Sequence, residues 1–233
     1  MTLLYLVRHG ETPWHAENRY CGRTDLPLTD NGRRQAEALA GWAARLRGTA
    51  ATAGDASPDS AGSDSASPDG LAAGEVGGGL TAVYSSPLTR ARETATAAAA
   101  AAGVPLEIDE RLTELDFGEA EGLTSAEMRR RWPERRAAFE ADPVAYPLPG
   151  GEDPRAAIAR GGAALAEIAA KHPYGTVLVV CHSTLLRLLT CQLTGIDPSR
   201  YRAEFPTVAN TSGAVLRHDG AAWTLLEFNP VLR

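Results

Sequence analysis

Short apolar runs and longer amphipathic stretches alternate along most of this chain. The short runs are rich in branched aliphatic side chains, as is typical of strands buried in a parallel sheet. They predict strands over Leu3–Val7, Leu80–Tyr84, Leu106–Ile108 and Thr176–Cys181, and two closing strands over Ala214–Arg217 and Trp223–Phe228 that can pair as a hairpin.

The amphipathic stretches between these runs predict helices. Asp30 is the predicted N-cap of a helix that extends through Arg47 and carries Ala36, Leu39, Ala40, Ala43 and Leu46 on one face. The other predicted helices cover Pro87–Ala102, 124–141 with a break at Pro133, Pro154–Lys171 and Leu185–Leu193. Strands that alternate with helices predict an α/β fold, a three-layer αβα sandwich with a mostly parallel sheet covered on both faces.

Residues 48–79 interrupt this pattern. Ala, Gly, Ser, Asp and Pro dominate the segment and aromatic residues are absent from it, so it can bury too little apolar surface to offset the entropy cost of ordering. We therefore expect a single domain over residues 1–233 with a low-complexity surface insertion at about 48–79. A lid or a partner-binding segment is the alternative for so long a loop.

Charge and cysteine content narrow the class of protein. The formal net charge of −6 disfavours nucleic acid as the main partner. We find no apolar segment long enough to span a bilayer or to serve as an export signal. The cysteines Cys21, Cys181 and Cys191 form no C-x-x-C pair, so we expect no disulfide framework and a cytoplasmic location.

Basic and imidazole side chains follow two of the predicted strands. Arg8 and His9 follow the first strand, and His182 follows the strand that ends at Cys181. Because the carboxyl ends of parallel strands lie along one edge of a sheet, these residues can meet there. Arg90 lies in the first turn of a helix at the same edge. Such a group of cations at a helix N-terminus suits a phosphate dianion.

Taken singly, these residues have simpler explanations. A histidine at the end of a strand is more often structural than catalytic, and Arg8 alone can be a surface charge. The pairs Cys181–His182 and His9–His15 raise the option of a metal site, but their spacings match no common zinc pattern. We therefore predict no metal and no cofactor, and we expect Cys181 to be a small core residue.

Five motifs occur together in a fixed order, LVRHGET, YSSPLTRARETA, RLTELDFGEAEG, PGGED and VVCHS. In this order and spacing they closely resemble the histidine phosphatase superfamily, the phosphoglycerate-mutase-like group. The likeness covers nearly the whole chain except residues 48–79. A single RHG tripeptide is a weak signal, whereas the five motifs together are specific. The resemblance implies the histidine-phosphatase fold.

The resemblance also implies a role for each matching residue. His9 would be the nucleophile that becomes phosphorylated, and Glu114, rather than Asp116, would be the proton donor to the leaving alcohol. Arg8, Arg90 and His182 would bind the phosphoryl oxygens. Lesser contacts to the substrate would come from Thr12 and Ser183. Independently of the resemblance, we expect part of the rim of the site in the residues that follow the RHG loop, Asn18, Arg19, Tyr20, Cys21 and Gly22.

The chemistry agrees with these roles. A neutral imidazole nitrogen can attack phosphorus and leave a phosphohistidine, while fixed cations stabilise the charge on the equatorial oxygens. Glu114 must be protonated before the first step and ionised before the second, when it activates water. Arginine and histidine supply the positive charge, so the mechanism requires no metal.

His15 departs from the family pattern, which commonly has Asn at this position. A histidine can also donate a hydrogen bond to phosphate, but it is bulkier and titratable. Three positions of the His15 side chain are open: it contacts phosphate, it faces the leaving group, or it points out of the site. We favour contact with the pocket.

The interval between Glu114 and His182 favours a phosphatase over a mutase. It is short for the mutases of this superfamily, and it has PLPGGED at 147–153 in place of an Arg-Arg-x-Tyr and polyproline stretch. A phosphomutase and a catalytically inactive phospho-ligand-binding protein are the alternatives.

The expected partner is a small-molecule phosphate ester, with a homodimer through an edge strand as a further option. Sugar phosphates, phosphoglycerate derivatives, nucleotides, an α-ribazole phosphate and biosynthetic intermediates all remain candidates. The region 124–150 is predicted to roof the site. A second anionic group on the substrate could bind there, at Arg129, Arg130, Arg131, Arg135 and Arg136, although a solvated helix face explains these arginines more simply. Phe139 and Tyr146 could pack on the substrate, but we expect them in the core.

Overall fold

The computed structural model of this chain describes residues 1–52 and 79–233, with side chains described for 1–47 and 79–233. Most of the predicted insertion at 48–79 therefore lies outside the described residues. The single-domain prediction with this insertion stays a prediction.

The described residues form the strands and helices that the alternating pattern predicts. The strands are β1 (Thr2–Arg8), β2 (Leu80–Ser85), β3 (Leu106–Ile108), β4 (Thr176–Cys181), β5 (Gly213–His218) and β6 (Trp223–Phe228). The helices are α1 (Asp30–Thr52), α2 (Thr89–Ala102), α3 (Ser125–Arg131), α4 (Pro133–Ala141), α5 (Pro154–Lys171), α6 (Ser183–Leu193) and α7 (Tyr201–Glu204). Short 3-10 turns cover Pro13–His15, Glu110–Leu112, Gly118–Ala120 and Pro198–Arg200.

The strands form one mixed sheet in the order β3-β2-β4-β1-β5-β6. Strands β1 to β4 pair in parallel, whereas β5 is antiparallel to β1 and β6 is antiparallel to β5, so the predicted closing hairpin is confirmed. The three-layer α/β prediction with a mostly parallel sheet is also confirmed. Strands β3 and β6 form the two edges; a dimer through either edge stays a prediction.

Alternate residues of β4 face opposite helical layers. Val177 and Val179 pack with residues of α5 and α6, whereas Leu178 and Val180 pack with residues of α1 and α2. Each face of the sheet is therefore covered, which explains why every residue of β4 is buried and why all but Thr176 are apolar. Cys181 is fully buried at the end of β4, as expected for a small core residue.

Four helix ends differ from the sequence predictions. Asp30 is the first helical residue rather than the N-cap, because the Thr29 hydroxyl accepts the hydrogen bond from the Gly32 amide at 3.0 Å. Helix α1 continues past Arg47 into the predicted insertion, since alanines at 50 and 51 favour helix and the first proline of the segment comes later. Helix α2 begins two residues after Pro87, and α6 begins at Ser183.

The segment 124–141 is helical and breaks at Pro133, as predicted. Phe139 is 1 % exposed and belongs to the core, whereas Tyr146 is 57 % exposed, so the core prediction is confirmed for Phe139 and wrong for Tyr146. Arg136 is buried at 3 % exposure, while the other four arginines of this segment are exposed. No helix within the described ranges is long and apolar enough to cross a membrane.

Candidate active site

The carboxyl ends of β1, β2 and β4 bring the predicted site residues together. Arg8 is opposite Cys181 in the sheet register, and the next amide, that of His9, donates to the Cys181 carbonyl at 3.1 Å. The Ser86 amide donates in the same way to the carbonyl of Val180. As a result, the rings of His9 and His182 lie 5.1 Å apart between their centroids. The sheet edge thus unites residues that are remote in the chain.

The hydrogen bonds of His9 fix its tautomer. Nδ1 lies 2.6 Å from the Gly10 carbonyl, which can only accept, so Nδ1 holds the proton and Nε2 carries the electron pair. Nε of Arg90 donates a hydrogen bond to Nε2 at 3.2 Å. Burial, together with the charges of Arg90 and Arg8, holds the pKa of His9 well below 6.5. His9 is therefore a neutral imidazole with Nε2 able to act as a nucleophile.

Arg90 is fully buried, and two backbone carbonyls fix its guanidinium. Nη1 donates to the carbonyl of Thr24 at 2.8 Å and Nη2 to that of Gly22 at 2.7 Å. The described residues place no carboxylate within 4.0 Å of Arg90. Gly22 therefore acts on the site through its carbonyl, behind Arg90.

Two buried nitrogens at this edge lack a hydrogen-bond partner in the described part of the chain. These are Nε of Arg8 and Nδ1 of His182. The other ring nitrogen of His182 contacts the Ser86 hydroxyl at 2.8 Å, and Nη1 of Arg8 donates to the carbonyl of Val208 at 2.7 Å. An unpaired buried polar group costs about 1–3 kcal/mol, so these atoms suit a ligand that hydrogen-bonds to them, with Nε of Arg8 as a donor and Nδ1 of His182 as a donor in its Nδ1–H tautomer.

His15 turns its ring toward Arg8. Its Nε2 lies 2.5 Å from Nη2 of Arg8, which can only donate, so Nε2 is an acceptor, and Nδ1 contacts the amide, the hydroxyl and the carbonyl of Thr12 at 3.0, 2.9 and 3.1 Å. Burial and the adjacent Arg8 charge lower the pKa of His15 to about 4. Burial lowers the pKa of Arg8 to about 10. His15 is thus a neutral side chain that holds Arg8, and it lines the cavity as we favoured from the sequence.

The Glu114 carboxylate is bound by three backbone amides. Oε1 accepts from Leu115 at 2.8 Å and from Leu185 at 2.9 Å, and Oε2 accepts from Thr184 at 2.9 Å. Two of these amides belong to the first turn of α6, whose partial positive charge favours a carboxylate. A carboxylate has about four acceptor positions, so one position on Oε2 remains for a proton.

The PGGED motif positions the loop that carries Glu114. Glu152 forms an ion pair with Arg160 at 2.8 Å. Arg160 in turn donates to the carbonyls of Arg111, Thr113 and Glu114. The motif therefore acts at a distance from the cavity by fixing the backbone on both sides of the predicted acid.

A cavity of about 260 Å³ opens over these groups. Of the predicted site residues, those in its wall are Arg8, His9, Thr12, His15, Arg19, Cys21, Glu114 and Ser183. Arg90, His182 and Gly22 lie behind the wall, and Asn18 and Tyr20 belong to it. Arg19 is paired with Glu17 at 2.6 Å and Glu127 at 3.1 Å, and burial raises the pKa of Cys21 to about 11, so its thiol stays protonated.

Sequence reasoning missed several residues of the cavity wall. They are Trp14, Phe117, Thr184, Arg187 and Arg202. Arg187 lies four residues after Ser183 on α6, and its Nε donates to the Ser183 carbonyl at 3.1 Å, so helical spacing could have found it. Arg202 lies on the four-residue helix α7, for which the local pattern offers no signal.

The candidate site contains no obvious set of metal ligands. Across residues 1–52 and 79–233, no group of three or more His, Cys, Asp or Glu side chains is placed to hold a metal ion. All three cysteines are free thiols.

Comparison with the profiles of known protein families assigns the chain to a superfamily. Residues 4–58 and 71–230 match the profile of the histidine phosphatase superfamily, branch 1. The chain belongs to this superfamily.

Individual relatives and one solved structure agree with this class. A bifunctional protein of Mycobacterium tuberculosis is 35% identical over 188 residues, which is 81% of this chain but only 43% of that protein. The chain thus spans less than half the length of that relative. Phosphoserine phosphatase 1 of Hydrogenobacter thermophilus is 28% identical over 86% of this chain and 80% of its own. Phosphoglycerate mutase-like protein 4 of Arabidopsis thaliana is 31% identical over 95% and 82%. The structure of YhfR from Bacillus stearothermophilus has a TM-score of 0.78 and 29% identity, over 99% of this chain and 98% of that one.

Proposed function

We propose that this chain is a metal-independent phosphomonoesterase that hydrolyses a small phosphate ester through a phosphohistidine on His9. The observation that carries this proposal is the neutral His9 ring, which keeps Nε2 free of a proton in the wall of a cavity lined by cations. Superfamily membership supports phosphatase chemistry in general. The roles assigned below to single residues are part of the proposal.

In the first step, Nε2 of His9 attacks phosphorus. A nitrogen–phosphorus bond forms, the bond from phosphorus to the ester oxygen breaks, and the leaving alkoxide takes a proton from Glu114. Arg8, Arg90 and His182 hold the phosphoryl oxygens, and the unpaired Nε of Arg8 and Nδ1 of His182 supply two of the donors.

In the second step, water attacks the phosphohistidine. Glu114, now ionised, takes a proton from the water, the nitrogen–phosphorus bond breaks and inorganic phosphate leaves. The open position on Oε2 of Glu114 can accept and return this proton, because the three backbone amides leave that position free.

Hydrolysis is favoured over phosphoryl transfer between positions of one substrate. One relative is named a phosphatase and another a mutase-like protein, so the names leave both reactions open. The short interval between Glu114 and His182 favours the phosphatase. Incubation with 3-phosphoglycerate, with and without a bisphosphate primer, separates the two: a phosphatase releases phosphate, whereas a mutase forms 2-phosphoglycerate.

The test is phosphate release from a panel of phosphomonoesters with EDTA present. We expect the unmodified chain to remain active in EDTA and His9→Ala to lose at least about a thousandfold, since no other group forms the covalent bond. His218→Ala, at the end of β5, is the matched control and keeps its activity. Mass spectrometry of the quenched protein should show phosphate on His9. Activity that EDTA abolishes, or that survives in His9→Ala, contradicts the mechanism.

A further inference from the structure

Two arginines in the cavity wall have no task in the proposed phosphoryl transfer. Arg187 comes from α6 and Arg202 from α7, and we refer to them as the distal pair. Within the described ranges, their hydrogen bonds go to Ser183, Phe205, Tyr201 and Tyr20 and not to His9, Arg8, Arg90 or His182.

Both members of the distal pair lie against the same tyrosine ring, and neither has a carboxylate partner among the described residues. Both guanidinium groups flank the Tyr201 ring, with their central carbons 4.8 Å (Arg187) and 5.5 Å (Arg202) from its centroid. Among the described residues, no carboxylate lies within 4.0 Å of either one, whereas Arg19 in the same wall is paired with two glutamates. Two neighbouring half-buried cations repel each other, and a bound anion would relieve that repulsion.

The protein holds the distal pair in place before any ligand binds. Nε of Arg202 donates to the Tyr201 hydroxyl at 2.9 Å and Nη2 to the Tyr20 hydroxyl at 3.1 Å. Its guanidinium also lies 4.6 Å from the centroid of the Phe139 ring. Arg187 donates from Nε to the Ser183 carbonyl and from Nη1 to the Phe205 carbonyl. Such fixed arginines lose little entropy when they bind an anion.

One nitrogen of each arginine remains available. In the described part of the chain, Nη2 of Arg187 and Nη1 of Arg202 take part in no hydrogen bond, and neither is among the nitrogens that are both unpaired and sealed from solvent. Two free donors from two side chains match the two oxygens of one carboxylate.

We propose that the distal pair binds a carboxylate on the alcohol part of the substrate, so that the preferred substrate is a small phosphorylated hydroxy acid. This inference rests on the proposed function, because the His9 side of the cavity must take the phosphate. The cavity volume of about 260 Å³ limits the ester to a small one. The site for the second anion is therefore at α6 and α7, and the arginines at 129–136 do not line it.

The test compares two ligands that differ only in the carboxylate, 3-phosphoglycerate and glycerol 3-phosphate. Their dissociation constants are measured by calorimetry with His9→Ala, which does not turn them over. We expect 3-phosphoglycerate to bind at least about tenfold more tightly, since a charge-assisted hydrogen bond contributes at least that factor. Replacing either member of the pair, with Arg187→Gln or Arg202→Gln, should reduce this preference to about threefold or less.

Further variants and a second ligand show whether the preference depends on the distal pair. Arg202→Lys keeps the charge and should keep part of the preference. Arg130→Gln should keep all of it, since Arg130 is exposed and does not line the cavity. Equal binding of the two esters overturns the proposal, as does a preference that survives in both Gln variants. Tighter binding of propane-1,3-diol bisphosphate than of 3-phosphoglycerate assigns the pair to a second phosphate and overturns the carboxylate.

The outcome is separable from that of the proposed function. Phosphate release and phosphorylation of His9 in the unmodified chain test the function, with any ester. The binding preference tests the distal pair alone. If one Gln variant fails to fold, the other Gln variant and Arg202→Lys still test the pair, and equal binding of the two ligands to His9→Ala overturns the proposal without them.

Discussion

Glu114 is the residue for which the hydrogen-bond pattern makes the sharpest prediction. A glutamine at this position would point its amide group at a backbone N–H, so at least one buried donor would lose its acceptor, and no proton could be given or taken. We expect Glu114→Gln to reduce kcat/KM for alkyl phosphates by about 10²- to 10⁴-fold. Hydrolysis rates for a series of esters measure this loss.

The leaving group separates a chemical role from a structural one. Nitrophenolate leaves without a proton, so Glu114→Gln should still be phosphorylated rapidly by p-nitrophenyl phosphate and should then accumulate phosphohistidine. Asp116→Asn, which changes the other acid of the motif, is the control and should retain most activity, since Asp116 caps the Gly118 amide outside the cavity. Equal losses for alkyl and nitrophenyl esters would argue against Glu114 as the proton donor.

Most of the chemistry-bearing residues could be predicted from the sequence because they follow strand ends or belong to compact motifs. Arg8 is the last residue of β1, and His9 and His182 come directly after β1 and β4, where the topology of a parallel sheet fixes their meeting place. The orientation of His15 could not be predicted, since it depends on its contact with Arg8. The position of Arg202 in the cavity wall could not be predicted, because it depends on the tyrosines that bind its guanidinium. One of them is Tyr20, which is distant in the chain.

Among the elements, the loop that contains Gly22 determines the position of Arg90. Its carbonyls at Gly22 and Thr24 accept two of the Arg90 hydrogen bonds. A Cβ at Gly22 would lie 2.2 Å from the Glu121 carboxylate and 2.3 Å from the Leu115 carbonyl, so the loop would have to shift. The glycine of this loop is thus required by close packing behind the site.

We therefore expect Gly22→Ala to destabilise the fold by about 1–3 kcal/mol and to lower kcat, because the shift displaces Arg90. Thermal unfolding and phosphate release measure the two effects. Gly162→Ala is the control: its Cβ would meet no atom within 4 Å in helix α5, so it should stabilise the fold by about 0.5–1 kcal/mol with activity unchanged. Full stability and full activity in Gly22→Ala would contradict the packing argument.

The elements that the sequence predicts most accurately are those whose sequence signal lies within the element itself. Strands β3, β4 and β6 and helix α5 have the predicted bounds, because a short apolar run and a proline at a helix start are local signals. The function of the PGGED loop depends on contacts between residues that are distant in the chain. Glu152 binds Arg160, and Arg160 holds the loop that carries Glu114. The sequence contains no local signal for this pair of contacts. The sequence prediction of the N-cap of α1 is wrong by one residue, because Thr29, one residue before Asp30, provides the cap.

For the whole molecule, assembling the site at one sheet edge has a consequence for stability. The fold buries His9, His182 and His15 beside cations and so lowers their pKa values, that of His15 to about 4. In the unfolded chain each histidine titrates near 6.5. Between pH 6.5 and 4 the unfolded state therefore binds more protons than the folded state, and the free energy of unfolding falls as the pH falls through this window.

The expected slope is up to about 1.4 kcal/mol per pH unit for each histidine that stays neutral in the fold. Urea unfolding between pH 7.5 and 5 measures it, above the range where the carboxylates with lowered pKa values, such as Glu152, begin to lose their contribution. His15→Asn removes one of these histidines, so its stability should decline less steeply with acid than that of the unmodified chain, whatever its stability at pH 7.5. His218→Asn is the matched control and should leave the slope unchanged. Two outcomes would contradict this prediction, a flat stability profile in the unmodified chain and an equal slope in His15→Asn. Either one would show that the folded site accepts protons in this pH range. The neutral His9 on which the proposed attack depends would then lose its physical basis.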